Sequence, residues 1–146
     1  IDQLCDIFSG KISNWEALGG PDQRIILIIP GPETAAYQNF QQIVMETNEI
    51  EYNLLTYQST MVVEGVKNMP GSISFIAQGA VTKDPSIKKI KINGFAPESR
   101  EYPIYQTFYF ATKGFPSPLT HAVINFGLSR IGTDFMKKKG LFPVIE

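Results

Sequence analysis

The residues of this chain that carry chemistry are few and scattered, and that narrows what they can do. Histidine occurs once, as His121, at a polar-flanked helix start where a surface role outweighs a catalytic or ligating one. Cysteine also occurs once, as Cys5, beside Leu4 and Ile7 in an apolar pattern. A lone thiol of this kind reads as buried and inert, forms no intramolecular disulfide, and leaves the redox compartment open. No Cys-His or Ser-His pair stands in a recognisable motif, and metal-ligand spacing is absent. The expectation is a protein without catalytic residues, metal or cofactor, although scattered carboxylates do not by themselves exclude hydrolase chemistry.

Two helix starts are the better places to look, because the first turn of a helix holds unpaired N–H groups and the positive end of the dipole. One is Gly31-Pro32-Glu33-Thr34, where Gly31 reads as the cap, Pro32 as the first helical residue and Glu33 as a complement to the dipole. The other begins at Ser59 or Thr60, whose hydroxyls either cap the helix or point at a ligand; capping is the expected role. Trp15, Tyr105, Phe108 and Tyr109 suit a sugar or peptide site by type, but at strand and loop positions they are expected in the core.

The elements that must position these groups alternate between strand and helix. Asp2 to Phe8 has helical spacing and stops at Ser9-Gly10. Asn14 to Gly20 reads as a loop. Arg24 to Ile29 is a near-continuous β-branched run, typical of a strand covered on both faces. The helix after Gly31 is predicted to reach about Thr47. Asn53 to Tyr57 is strand-like, a helix follows through Lys67, and Pro70-Gly71 punctuates before a strand over Ser72 to Ile76. Ile87 to Ile92, with Lys88, Lys89 and Lys91 on its wet face, and Tyr102 to Thr112 are predicted strands. Thr120 to Lys139 is predicted helix, broken near Gly132, before an extended tail over Gly140 to Val144. Helical connections between strands imply an α/β fold with a mixed, mostly parallel sheet flanked by helices.

Bulk properties agree with one globular domain over residues 1–146. Hydrophobic residues make up 43% and charged ones 18% of the chain, enough for a core that needs no metal or staple. A net charge of −1 gives no field to gather nucleic acid, and no apolar run is long enough for membrane insertion. Lys137, Lys138 and Lys139 fit a helix C-terminus. The chain opens on a helical pattern without an initiator methionine, which reads as a processed or excised segment.

Several segments together resemble one family. IFSGKISNWEALGG (7–20), NMPGSISFIAQGAV (68–81), YPIYQTFYFATKG (102–114) and INFGLSRIGTDFMKKKGLFPV (124–144) are similar to substrate-binding proteins of phosphate ABC transporters. They occur in family order over essentially the whole chain. The resemblance implies a lobe of the type II periplasmic binding protein fold and a non-enzymatic, extracytoplasmic solute binder whose partners are a small-molecule or oxyanion ligand and an ABC permease. It also implies that residues 1–102 are a second-lobe segment, that 103–146 return toward a first lobe, and that most of that first lobe lies upstream. A sensory or protein-interaction module on the same scaffold is the alternative.

The family grips its oxyanion with a basic residue and a Ser-Gly-Thr turn at a helix start. The matching stretch is ILIIPGPETAAY (26–37), where the family's serine falls on Pro32, its glycine on Glu33 and its arginine on Ile28; only Thr34 is kept. Pro32 lacks hydroxyl and N–H, Glu33 adds a carboxylate, and Ile28 offers no guanidinium. The resemblance thus implies Gly31, Glu33 and Thr34 as ligand-binding candidates beside Ser59 and Thr60 at the second helix start, with phosphate disfavoured.

Overall fold

In the computed structural model, which describes residues 1–81 and 84–143, the chain divides into two compact units, Ile1–Gln106 and Thr107 onward. The first unit is built around the β-branched run. That run becomes β1 (Ile26–Pro30), the central strand of a three-stranded parallel sheet in the order β2-β1-β3. The flanking strands are β2 (Leu54–Thr56) and β3 (Ser72–Ile73). Ile28 stands opposite Leu54 and Pro30 opposite Thr56, while Ile26 stands opposite Ser72. Parallel neighbours require helical crossovers, and α2 (Ala35–Phe40) and α3 (Ser59–Asn68) supply them.

Strand alternation sorts the two faces of β1. Leu27 and Ile29 join a core with Ile7 and Phe8 of α1 (Asp2–Phe8), Phe40 of α2, and Val44 and Met45. Ile28 points the other way, and its Cδ1 would lie 3.0 Å from a Cβ placed on Gly65 of α3. Phe40 and Phe75 stack at 3.9 Å between ring centroids, and Phe8 meets both edge-on. At the N-terminal edge, Asn53 Oδ1 accepts from the Leu27 N–H at 2.8 Å, continuing the pairing beyond β2. At the far end of α3, Lys67 pairs with Asp84 at 3.0 Å. The Ser86 hydroxyl and amide, with Lys67, hold the Asp84 carboxyl down to about 2.

Asn14 to Gly20 is more ordered than a loop. Asn14 Oδ1 accepts from the amides of Glu16 and Gln23, and Trp15–Leu18 forms a 3-10 turn ending at Gly19 with φ 78°. The Trp15 indole donates to the Gly71 carbonyl at 2.8 Å, so this half-buried ring ties two loops together. Cys5 is half-buried rather than buried, and its Sγ accepts from the Asn48 amide at 3.5 Å.

Several expected elements take another form. The helix predicted to Thr47 ends as a π turn over Gln41–Met45, with Glu46 at φ 53°. The strand expected over 72–76 is only Ser72–Ile73. No strand forms over Ile87 to Ile92 or Tyr102 to Thr112 among the described residues; only an isolated bridge pairs Ile92 with Phe95 around Asn93-Gly94. Alternation alone makes no strand without a neighbour to bond to. Tyr105, Phe108 and Tyr109 are accordingly exposed, Tyr109 at 85%, where a core position was expected.

The second unit carries α4 (Pro118–Leu128) and α5 (Arg130–Lys138). Ser117 caps α4 with Pro118 at its first position, and Ser129 caps α5 by accepting from the Gly132 N–H at 3.2 Å. The break predicted near Gly132 is therefore at Ser129. Gly132 is needed for a different reason: a Cβ there would strike the carbonyl oxygens of Phe126 and Gly127. His121 is exposed, as expected. The extended tail was expected to reach Val144, which lies outside the described residues.

Candidate functional site

In a parallel sheet with helical crossovers, the C-terminal strand ends and the helix starts that follow them form the natural binding edge. Both sequence-predicted helix starts lie on it, one after β1 and one after β2. The structure builds them differently from each other and from expectation.

The turn after β1 is closed by its own groups. The cap of α2 is Thr34, not Gly31, because its hydroxyl accepts from the Tyr37 N–H at 3.2 Å. The same hydroxyl donates to the Gly31 carbonyl at 2.7 Å, and the Thr34 amide donates there at 2.9 Å. Pro32 therefore precedes the cap instead of opening the helix. Glu33 curls back over Gly31, so that a Cβ on Gly31 would lie 2.8 Å from Glu33 Oε2. An anion approaching this turn meets a carboxylate, a proline and a threonine hydroxyl already engaged as donor and acceptor. Ile28, which the resemblance aligns with an arginine, is 0% exposed and packs against Gly65 of α3.

The start of α3 is open. Its cap position is held by Gln58, which makes no side-chain cap bond, so neither Ser59 nor Thr60 caps the helix as expected. Their place is the first turn proper. The Met61 and Val62 amides bond the Gln58 carbonyl at 3.0 and 3.3 Å, whereas the Ser59 and Thr60 amides find no acceptor among the described residues. Both side chains are exposed. The strand before them ends on a group that pattern reading passed over: Thr56 is 3% exposed, and its Oγ1 has no hydrogen-bond partner among the described residues. Its sequence signal was a hydroxyl on the last residue of a strand that runs straight into a helix.

With this architecture in view, comparison with known proteins is decisive. Residues 1–130 match the model of the PBP superfamily domain. The chain belongs to the PBP superfamily. Among relatives of this PBP domain, the phosphate-binding protein PstS of Bacillus subtilis is 28% identical over 151 residues, which cover 99% of this chain and 50% of the relative. PstS of Borreliella burgdorferi is 21% identical, covering 98% and 57% respectively. The chain thus spans about half the length of the curated relatives it matches. A phosphate ABC transporter substrate-binding protein from Clostridium perfringens, solved with bound phosphate, superposes with a TM-score of 0.81 at 25% identity, covering 99% of this chain and 62% of that one. An ABC-type phosphate transport receptor from Vibrio cholerae shares the fold at a TM-score of 0.71 and 20% identity, over 97% of this chain and 62% of that one. The α/β class and the parallel, helix-flanked sheet expected from sequence are those of the PBP domain.

Elsewhere on unit 1, a hollow of about 360 Å³ lies toward the opposite end of the strands, between Arg24 and Glu51, with Tyr52 at its rim. It contains none of Gly31, Glu33, Thr34, Ser59 or Thr60. Among the described residues, no group of three or more His, Cys, Asp or Glu side chains is placed to hold a metal, and no helix is long and apolar enough to cross a membrane.

Proposed function

We propose that this chain is a non-enzymatic, extracytoplasmic solute-binding lobe of an ABC import system whose phosphate-gripping turn has been closed by its own side chains. The observation that carries the reading is Glu33 folded over Gly31 while both bonding directions of the Thr34 hydroxyl are spent within the turn. Hydrogen bonds to a charged group are worth about 1.5 to 3 kcal/mol each, so losing two or three weakens an anion by several powers of ten. Calorimetric titration with inorganic phosphate at neutral pH is expected to give no micromolar binding. The double variant P32S/E33G is expected to bind about tenfold or more tightly than the parent. Micromolar affinity in the unmodified chain would overturn the reading.

The same reading has unit 2 return toward the first lobe. Phe108, Phe110, Phe126 and Phe135 are all more than half exposed, beyond what a soluble monomer ordinarily leaves in one region. About half the length of the Bacillus subtilis relative has no counterpart in these residues. The proposal is that further chain of that kind covers this apolar surface. The 146 residues alone are then expected to bind a hydrophobic dye or self-associate in size-exclusion chromatography. A monodisperse monomer that leaves the dye dark would refute this.

A further inference from the structure

The geometry points to a small-anion site at the start of α3, taking a singly charged carboxylate through the amides of Ser59 and Thr60 and the buried hydroxyl of Thr56. The inference rests on the reading of this chain as a ligand-binding lobe and moves its anion contact from the closed turn after β1 to the open one after β2. The helix is ten residues long and uncapped, so its first amides and its dipole remain available.

The second observation is Thr56. Leu55 packs against the core on the α1 and α2 face, so alternation sends the Thr56 side chain to the opposite face, where Ile28 meets Gly65 of α3. Thr56 is the last residue of β2, and only Tyr57 and Gln58 separate it from the helix. Its side chain is therefore on the α3 face of the sheet, two residues short of the helix start. Buried side-chain oxygens almost always have a partner, yet Oγ1 has none among the described residues. A ligand oxygen at the helix start supplies the missing acceptor, and the short Tyr57-Gln58 link is the segment that must lift to admit it.

The charge of the ligand follows from the side chains nearby in sequence. No acid or base occurs from Tyr52 to Val63, and the first charged residue of α3 is Glu64, in its second turn. Attraction then comes from N–H groups, hydroxyls and the helix dipole alone, which suits one negative charge better than two.

The test is NMR titration of the folded chain with sodium acetate and, separately, inorganic phosphate. Saturable shifts of the Ser59 and Thr60 amides with acetate are expected, with weaker response to phosphate. Thr56→Val keeps the shape, removes the unpaired hydroxyl, and should weaken acetate binding about tenfold or more while leaving the melting temperature unchanged or raised. Ser59→Pro removes an amide and a hydroxyl at a position where proline is tolerated, since Gln58 already has extended backbone at φ −129° and ψ 133°. It too should weaken acetate binding about tenfold or more, without unfolding the chain. Unchanged binding in both variants, or no saturable shift at residues 59–60, overturns the site. Shifts centred on Gly31 to Thr34 would instead overturn the closed-turn reading of the proposed function.

Discussion

Ile28→Arg is expected to unfold unit 1, although arginine is the residue type that the sequence resemblance aligns with this position. Ile28 is fully buried in the middle strand of the sheet, with its Cδ1 against the Gly65 backbone of α3. Arginine adds length and a charge there, and the opposed helix surface offers it Gly65 and buried Val62. Leaving a charge buried without a partner costs about 3 to 5 kcal/mol, and overpacking adds about 1 to 3 kcal/mol. Domains are stable by only about 5 to 15 kcal/mol in total. Circular dichroism is expected to show loss of the cooperative thermal transition, whereas Ile28→Val should cost only about 0.5 to 1.5 kcal/mol. A melting temperature for Ile28→Arg within a few degrees of the parent would mean that the strand end opens far enough to let the guanidinium out. Under the proposed function, the result separates two ways in which a ligand contact is lost. Pro32 and Glu33 are exposed and can be reverted, while Ile28 has been absorbed into packing.

The legibility of the fold in the sequence follows the same division. Strand β1 was readable because five consecutive residues, Ile25 to Ile29, are aliphatic, and a strand covered on both faces needs no more instruction. Helix α3 was readable from its Ser59-Thr60 start and the Pro70-Gly71 punctuation after it. What failed were judgements that depend on a partner. Lys88 to Ile92 alternates well, but a strand needs another strand to receive its hydrogen bonds, and here Asn93-Gly94 folds Ile92 back onto Phe95. The aromatic run from Tyr105 has the composition of a strand, yet among the described residues it pairs with none.

The site was half legible for a related reason. Gly31, Pro32, Glu33 and Thr34 each favour a helix start, and the sequence does not say which becomes the cap. The structure chooses Thr34, whose hydroxyl accepts a bond that glycine has no side chain to accept. Ser59 and Thr60 looked like caps by type, but the link from β2 puts Gln58 in the cap position and leaves them inside the first turn. The unpaired Thr56 hydroxyl is a property of three-dimensional packing, and no spacing rule announces it.

Phe8→Ala is expected to be the most damaging of the simple truncations in unit 1. The Phe8 ring is 1% exposed and sits edge-on to Phe40 at 4.8 Å and to Phe75 at 5.3 Å. Phe40 belongs to α2 and Phe75 follows β3, so one side chain of α1 joins parts of the chain that meet nowhere in sequence. Emptying a buried phenylalanine site costs about 3 to 5 kcal/mol, with edge-to-face contacts contributing about 0.5 to 1.5 kcal/mol beyond area. For a unit of this size, each kcal/mol moves the melting temperature by about 4 to 8 °C, so a fall of roughly 15 to 30 °C is expected in a calorimetric scan. Phe8→Leu, which fills much of the volume but not the ring geometry, should lose much less. Equal losses in the two variants would show that ring geometry, rather than volume, decides this site. A loss of only a few degrees in Phe8→Ala would show that α1 is an appendage to the sheet. The binding edge would then rest on the sheet, α2 and α3 without support from α1, whose Phe8 ring meets Phe40 at the end of α2.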